Sequence, residues 1–471
     1  MKLFCERTVL PSPTGGYTIL PALICIQDGQ ITRVETGKKA EEKRSDPDVE
    51  DLGNRVLSPA FVNAHTHLAM HALRGIGSLD RMRGNVVEEF FFRVESQVTD
   101  ADIRAFVRMG AYDALCAGVG TVWDHYYGGL ELAAGIRDVG LCAVIAPTLQ
   151  DVAGPGVDQL EQQLQATADL VSDSSWKDDG IVAALGPHAT DTVSDDLWAK
   201  VRDLRDQLQI PVHAHVAQSI EEVQRSHALH GCSPVERLHQ LGLLSGEQSF
   251  LLVHALFLSH QDLDRVGTGP NVLGHCPYSQ AQFAFPAPIS TWLEQGLSLA
   301  VGTDCGACND GMNVQQELRL IAGGPGLAPT WSPERIAAEA SGALGAAEAL
   351  QAKRVEIYDR AIPQLGHERL LSWVWEGPGQ IHADLQVGAI QEGHLANLVL
   401  WNLEHPATWP GKDPIRTLVM TDATAAIDQV MIRGTWRGER GSFRASIAQS
   451  SDYQAACSEA NQRLDALLER I

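Results

Sequence analysis

Two kinds of apolar patterning divide the chain. In the first 56 residues, short β-type runs are broken by turns, and in "TILPALICIQDGQITRVETG" two of them flank Asp28-Gly29, a pair that favours the tight turn of a hairpin. From "RVLSPAFVNAHTH" onward the apolar runs shorten and recur: "GVGTVWDHY", "LCAVIAPT", "GIVAALGPHAT", "IPVHAHVAQS", "SFLLVHALFLS", "NVLGHCPYS" and "LSLAVGTDC". Amphipathic stretches of helical period lie between them, among them residues 99–116, 194–208 and 233–241. About eight strands alternating with helices predict a parallel (β/α)8 barrel of the TIM type. A dinucleotide-binding doubly wound sheet is disfavoured, because no GxGxxG opens a helix after the first strand.

Beyond Ala349 the alternation stops, and β patterning returns in "VGAIQEGHLANLVLWNL" and "IDQVMIRGTWR". The expected architecture is therefore α/β, a barrel over residues 57–365 with a small β-sandwich domain assembled from both chain ends, 1–56 and 366–442. Residues 443–471 form a C-terminal helical segment in this division, with small and apolar residues at helical spacing from Gln454 on.

Composition narrows the partners. A formal charge of -23 over 471 residues disfavours nucleic acid and anionic membrane surfaces, which such a protein repels. The N-terminus has no uninterrupted apolar signal segment and no window approaches a membrane span, so a cytoplasmic location is expected. Nine cysteines, an odd number scattered through apolar segments, fit free thiols in a reducing compartment. Cys305 and Cys308 form the one CxxC pair, read as packing beside a site.

The candidate chemistry lies at the strand ends, where barrel enzymes collect their catalytic groups. His65 and His67 end "PAFVNAHTH", and positions i and i+2 of a strand share a face, so both rings reach one metal ion. His188, His213 and His215, His254, His275 and Asp304 end the later runs. Imidazoles and a carboxylate around an open metal position perform metal-assisted hydrolysis: the ion acidifies a water and a carboxylate takes its proton. In that scheme Asp304 is ligand and base, His254 contacts the attacking water or developing charge, and His188 orients the substrate. "AALGPHAT" offers no lysine or glutamate to bridge two ions, so one divalent metal is expected, zinc first, with iron or manganese as the alternatives.

The ordered set "LSPAFVNAHTHLAMHALRG", "GPHAT", "VHAHVAQSIEE", "LLVHALFLS", "HCPYSQ" and "VGTDCGACND" resembles the amidohydrolase superfamily, in particular its deaminase and chlorohydrolase branch. That branch holds the S-adenosylhomocysteine and methylthioadenosine deaminases, guanine deaminase and the triazine hydrolases. The resemblance implies metal ligands at His65, His67, His215 and Asp304, a catalytic His254, a substrate-contacting His188, and a substrate-binding Glu95 where nucleoside deaminases hold a ribose. The choice of His215 over His213 rests on the resemblance, because spacing alone leaves both available. His275 is assigned to the surroundings of the site.

The sequence departs from the family at Gln218. Three residues after the ligand histidine the family places a glutamate that shuttles a proton, and an amide does not do this at neutral pH. Either another acid takes over (Glu221, Glu222, or Asp304 with His254), or the leaving group needs less protonation, or the protein binds metal without turnover. Residues 351–380, containing "LLSWVWEGPGQ", exceed the family's usual link and read as a surface insertion or a cover for the barrel edge or a subunit interface. Asn397 stands where an aspartate is common. The expected activity is hydrolysis of a C–N bond in a small nitrogen heterocycle such as a purine, nucleoside, pterin or triazine, with Asp304, His254 and Gln218 as catalytic groups. The alternatives are a halide or formimino leaving group and a metal-binding homologue without turnover; the resemblance allows a homodimer, and no interface pattern in the chain decides the assembly.

Overall fold

Eight parallel strands follow one another around a ring: β1 Phe61–His67, β2 Val119–Tyr126, β3 Cys142–Leu149, β4 Ile181–Ala183 with Gly186–Pro187, β5 Val212–Val216, β6 Phe250–His254, β7 Val272–His275, and β8 Ser298–Val301 with Asp304–Cys305. The computed structural model describes residues 1–76, 85–283, 287–327, 332–361 and 363–471. β1 to β4 pair in order, as do β5 to β8. Parallel bridges Leu185 to Val212 and Ala189 to His215 join the two halves, and Asp304 and Cys305 pair with Thr66 and His67 to close the barrel.

Every residue of β1, β2, β3, β5 and β6 is buried. Such strands face packed side chains inside the barrel and helices outside it, which is why they read as continuous apolar runs and not as alternating ones. Three of the helices between them start one residue after a hydroxyl that announces each in the sequence. Thr99 caps Asp100–Cys116 in a reciprocal capping box with Asp102, and Ser194 and Ser233 cap Asp195–Leu208 and Pro234–Gln240.

The chain ends combine as expected, in one mixed eight-stranded sheet. Its backbone runs without interruption from Gln30–Thr36 at one edge to Thr435–Arg437 at the other, with Leu398–Trp401 antiparallel to Val56–Pro59 at the join. A register shift between Cys5 and Thr8 lets Lys2–Pro11 pair first with Val49–Asp51 and then with Val56–Pro59. The sheet curls until the Asp28-Gly29 turn bonds residues 394–396, enclosing Leu3, Ile24, Ile31, Leu57, Leu398 and Met431. One continuous sheet thus buries an apolar face against itself, the arrangement a sandwich achieves with two.

Residues 351–380 divide in two. The helix Leu344–Ala361 is largely exposed, whereas Leu370, Leu371, Val374 and Trp375 are fully buried beneath the barrel. Val62 donates to the Val374 carbonyl (2.7 Å) and Val301 to that of Trp373 (2.9 Å), so this segment covers the barrel end opposite the strand tips. Trp375 stacks on Phe61 (6.1 Å) and meets Tyr17 edge-on (5.0 Å), locking the sheet to the barrel. Asn397 adds a second link: its amide reaches Thr121 Oγ1 and Cys142 Sγ and accepts from the Arg433 amide. The last helix, Ser451–Arg470, packs on Asp100–Cys116 through Tyr453 against Tyr112 and through Arg463 and Arg470 on the buried Asp102. Among the described residues no helix is long and apolar enough to cross a membrane.

Ring closure depends on Gly302, the link between the two parts of β8. A Cβ there would lie 2.6 Å from the His65 nitrogen and 2.8 Å from its Cβ and carbonyl oxygen. Gly302→Ala is expected to destabilise by about 1–3 kcal/mol through overpacking and to displace His65. Gly311→Ala, with no atom within 4 Å of its added carbon, serves as the near-neutral control; equal thermal midpoints for the two variants would refute the close-approach argument.

Candidate active site

At the strand tips the predicted residues meet. His65 and His67 project from β1, His215 from β5, His254 from the end of β6 and Asp304 from β8, all buried. His67 Nε2 lies 3.3 Å from His215 Nε2 and 3.6 Å from Asp304 Oδ1, and His65 Nε2 lies 3.7 Å from the same oxygen. Four atoms tetrahedrally bound to zinc at ~2.0–2.1 Å stand ~3.3 Å apart, so these separations fit one divalent ion.

The backs of the rings set which nitrogen faces inward. His67 Nδ1–H donates to the His125 carbonyl and His215 Nδ1–H to that of His188 (2.8 Å), which leaves both Nε2 lone pairs directed at the site. His65 Nδ1 bonds His213 Nε2 at 2.8 Å, so the histidine two residues before His215 supports a ring of another strand. His65 Nε2 is fully buried and has no hydrogen-bond partner among the described residues. An orphaned ring nitrogen of this kind, set beside a carboxylate and two further imidazoles, is what a cation would satisfy.

Burial and the neighbouring rings push the His65 and His215 imidazoles well down, and burial above all lowers those of His67 and His254. His188 and His213 fall to about 3, again through burial. The rings are neutral at pH 7, the form that coordinates a metal.

His254 behaves differently from the other rings. Its Nδ1 accepts from Gln280 Nε2 (3.4 Å), so its Nε2 bears the proton and points toward Asp304 Oδ2 at 3.9 Å. Asp304 Oδ2 accepts from Ser279 Oγ (2.7 Å) and Oδ1 from the Cys305 amide (2.8 Å). Both His254 (φ 71°) and Asp304 (φ 64°) are in the left-handed region, a strained conformation that collects at functional sites. Ser279 and Gln280, within "HCPYSQ", are not legible as site residues in the sequence, because a hydroxyl and an amide after a strand carry no metal-ligand signature. Nor is His125, whose carbonyl orients His67, since the contributing atom belongs to the backbone.

A cavity of about 550 Å³ opens above these groups, within the size range of small-molecule sites. His188, Glu95 and Gln218 line it, with Phe91, Phe92 and Phe283 as aromatic walls. His188 is held by Thr192 Oγ1 at 2.9 Å. Glu95 is buried beside Tyr126, and desolvation raises its carboxyl to about 8, so it carries a proton at neutral pH.

Gln218 faces the cavity, whereas Glu222 does not. The Glu222 carboxylate is fully buried and accepts from the amides of Ala217 (3.0 Å) and Gln218 (2.7 Å) and from the Thr190 hydroxyl. These bonds hold Ala217 at φ 50° and so aim the Gln218 side chain inward. Of the two glutamates considered as substitute acids, Glu221 lines the cavity and Glu222 is committed to the loop backbone.

Residues 56–341 match the amidohydrolase family. A 5'-deoxyadenosine deaminase of Methanopyrus kandleri is 24% identical over 455 residues, covering 94% of this chain and 97% of that protein. An adenosine deaminase from Xanthomonas campestris with bound zinc superposes with a TM-score of 0.80 at 23% identity, over 99% of this chain and 98% of that one. An atrazine chlorohydrolase from Arthrobacter aurescens TC1, complexed with zinc, superposes with a TM-score of 0.76 at 19% identity, over 99% of both chains.

The raised carboxyl of Glu95 has a thermodynamic consequence. An acid whose folded value (about 8) exceeds its ordinary 4.5 favours the fold fully below about pH 4.5, and that contribution is lost as pH rises toward 8. Glu95→Gln removes the titration. The decline in thermal midpoint between pH 5 and pH 8 should become shallower in the variant, and an unchanged slope would show that Glu95 is ionised in the fold.

Proposed function

The chain belongs to the amidohydrolase family, and from that premise we propose that it is a metal-dependent aminohydrolase, cleaving a C–N bond at an amidine-like carbon of a purine-type or related nitrogen heterocycle. The observation that carries this reading is the orphaned, buried His65 Nε2 set among His67, His215 and Asp304 at metal-binding separations. The similarity to a 5'-deoxyadenosine deaminase over nearly its full length supports the substrate class.

One divalent ion, zinc first, held by His65, His67, His215 and Asp304, would acidify water so that a nucleophile is available at neutral pH. Asp304 accepts the water proton at Oδ2, where Ser279 orients the carboxylate. His254 donates its Nε2–H toward charge developing at the attacked carbon; Gln280 fixes that tautomer. His188 and the aromatic walls place the ring, and protonated Glu95 donates a hydrogen bond to a substrate oxygen or nitrogen. Gln218 reads the substrate through its amide, which donates and accepts hydrogen bonds without exchanging protons. The nine cysteines, none in a disulfide, support work in a reducing compartment such as the cytoplasm.

Gln218 also favours a second reading: a leaving group that departs without protonation, such as a halide, or a formimino substrate. Chelator-stripped and zinc-restored protein, assayed for ammonia over aminopurines, adenosine-type nucleosides, pterins, triazines and formimino compounds, tests both. Metal-dependent ammonia release from a ring substrate is expected. Turnover that survives complete metal removal, or metal binding with no member of the panel hydrolysed, would overturn the proposal.

Asp304→Asn is expected to lower kcat by ~10³-fold or more, within the range of general-base losses; activity within tenfold of the parent would remove Asp304 from the proton-accepting role. Gln218→Glu restores a group that trades protons. It should raise kcat for amine release, and an equal or lower kcat on the best substrate would assign Gln218 to a leaving group that needs no acid.

A further inference from the structure

Asp304 faces sulfur as well as imidazole. The chain passes from Asp304 directly into Cys305, and the short turn Gly306–Asn309 brings Cys308 back beside it, leaving the two sulfurs 2.8 Å apart. One oxygen of Asp304 and both sulfurs lie within 4.8 Å of one another; an ion bound to both sulfurs at ~2.3 Å would hold them ~3.8 Å apart, so side-chain rotation opens the 2.8 Å contact on binding. The thiols are 1% and 2% exposed, yet both form part of the cavity wall, so an ion that enters the cavity reaches them. Cys276, at the end of β7, comes within the same distance of Asp304 and His254, adding a third sulfur on this side.

Two thiols with a carboxylate form a softer donor set than three imidazoles with a carboxylate. We propose that Asp304, Cys305 and Cys308 constitute a second cation site, for a thiophilic divalent ion such as cadmium or zinc in excess, distinct from the histidine site and sharing Asp304 with it. Binding breaks both S–H bonds, releases two protons to solvent and forms two sulfur–metal bonds, and no electrons are transferred. An ion there engages the carboxylate that accepts the water proton, so occupancy inhibits hydrolysis; this consequence rests on the role given to Asp304 above, whereas the site itself rests on geometry alone.

The test is a cadmium titration of the zinc-loaded protein under a phosphine reductant, read by bound metal per chain and by the ultraviolet thiolate-to-cadmium charge-transfer band. The wild type is expected to take up one equivalent beyond the first, with the band, and Cys305→Ser/Cys308→Ser to lose both while keeping the first equivalent and its circular dichroism. If the double variant does not fold, C305S and C308S singly should each weaken cadmium uptake at least tenfold. His65→Ala/His67→Ala separates the two readings: the band persists there if the thiol site stands by itself, even should the hydrolase reading fail. Absence of the band in the wild type, its persistence in the cysteine variants, its loss in the histidine variant, or loss of two free thiols without metal uptake would each overturn the proposal.

Discussion

The constraint on which the structure depends is the convergence of neutral imidazoles at one end of a closed barrel. Protonated, the rings of His65, His67, His215 and His254 would repel one another at centroid separations of 4.7–5.8 Å, where all four are buried. Burial resolves this by driving all four to the neutral form, and neutrality makes the cluster a ligand set. The same burial that makes these residues costly to place leaves His65 Nε2 without a hydrogen-bond partner among the described residues.

Around this cluster the polar atoms are oriented from behind. Carbonyls of His125 and His188 fix the tautomers of two rings, Gln280 fixes His254 in the opposite one, and His213 holds His65 at Nδ1. His67 and His215 thereby offer lone pairs while His254 offers a proton, a distinction made among residues of one type by their partners. Asp304 is shaped by a left-handed backbone and by Ser279, which together turn one oxygen toward the imidazoles and the other toward His254.

Gln218 and Glu222 show how a missing acid is accommodated locally. The loop after β5 needs its amides satisfied where it leaves the strand, and Glu222 does this from within the next helix. Its carboxylate is thus engaged in the loop, four residues from the place where the family keeps a proton shuttle. The cavity keeps other acids, Glu95 and Glu221 among them, but neither occupies the Gln218 position.

Much of this was legible in the chain. Apolar runs ending in histidine or aspartate, separated by capped amphipathic helices, announce a parallel barrel, because a strand covered on both faces must be apolar throughout and its tip is the first place a polar group can point into a cavity. Spacing put His65 and His67 on one face of one strand. It did not say that His213 would support His65 from 148 residues away, that Glu222 would be bound by backbone amides, or that "LLSWVW" would run beneath the barrel and not over its surface. The curled single sheet was equally hidden, since it depends on a register shift near Cys5 and on pairing between the two chain ends. Sequence by itself determined the elements and the kinds of donor, which follow from local periodicity and side-chain chemistry. Tertiary structure alone decided the tautomers, the buried charges and the pairing of Asp304 with both imidazole and sulfur, because each depends on which atoms closure of the barrel brings within a few ångströms.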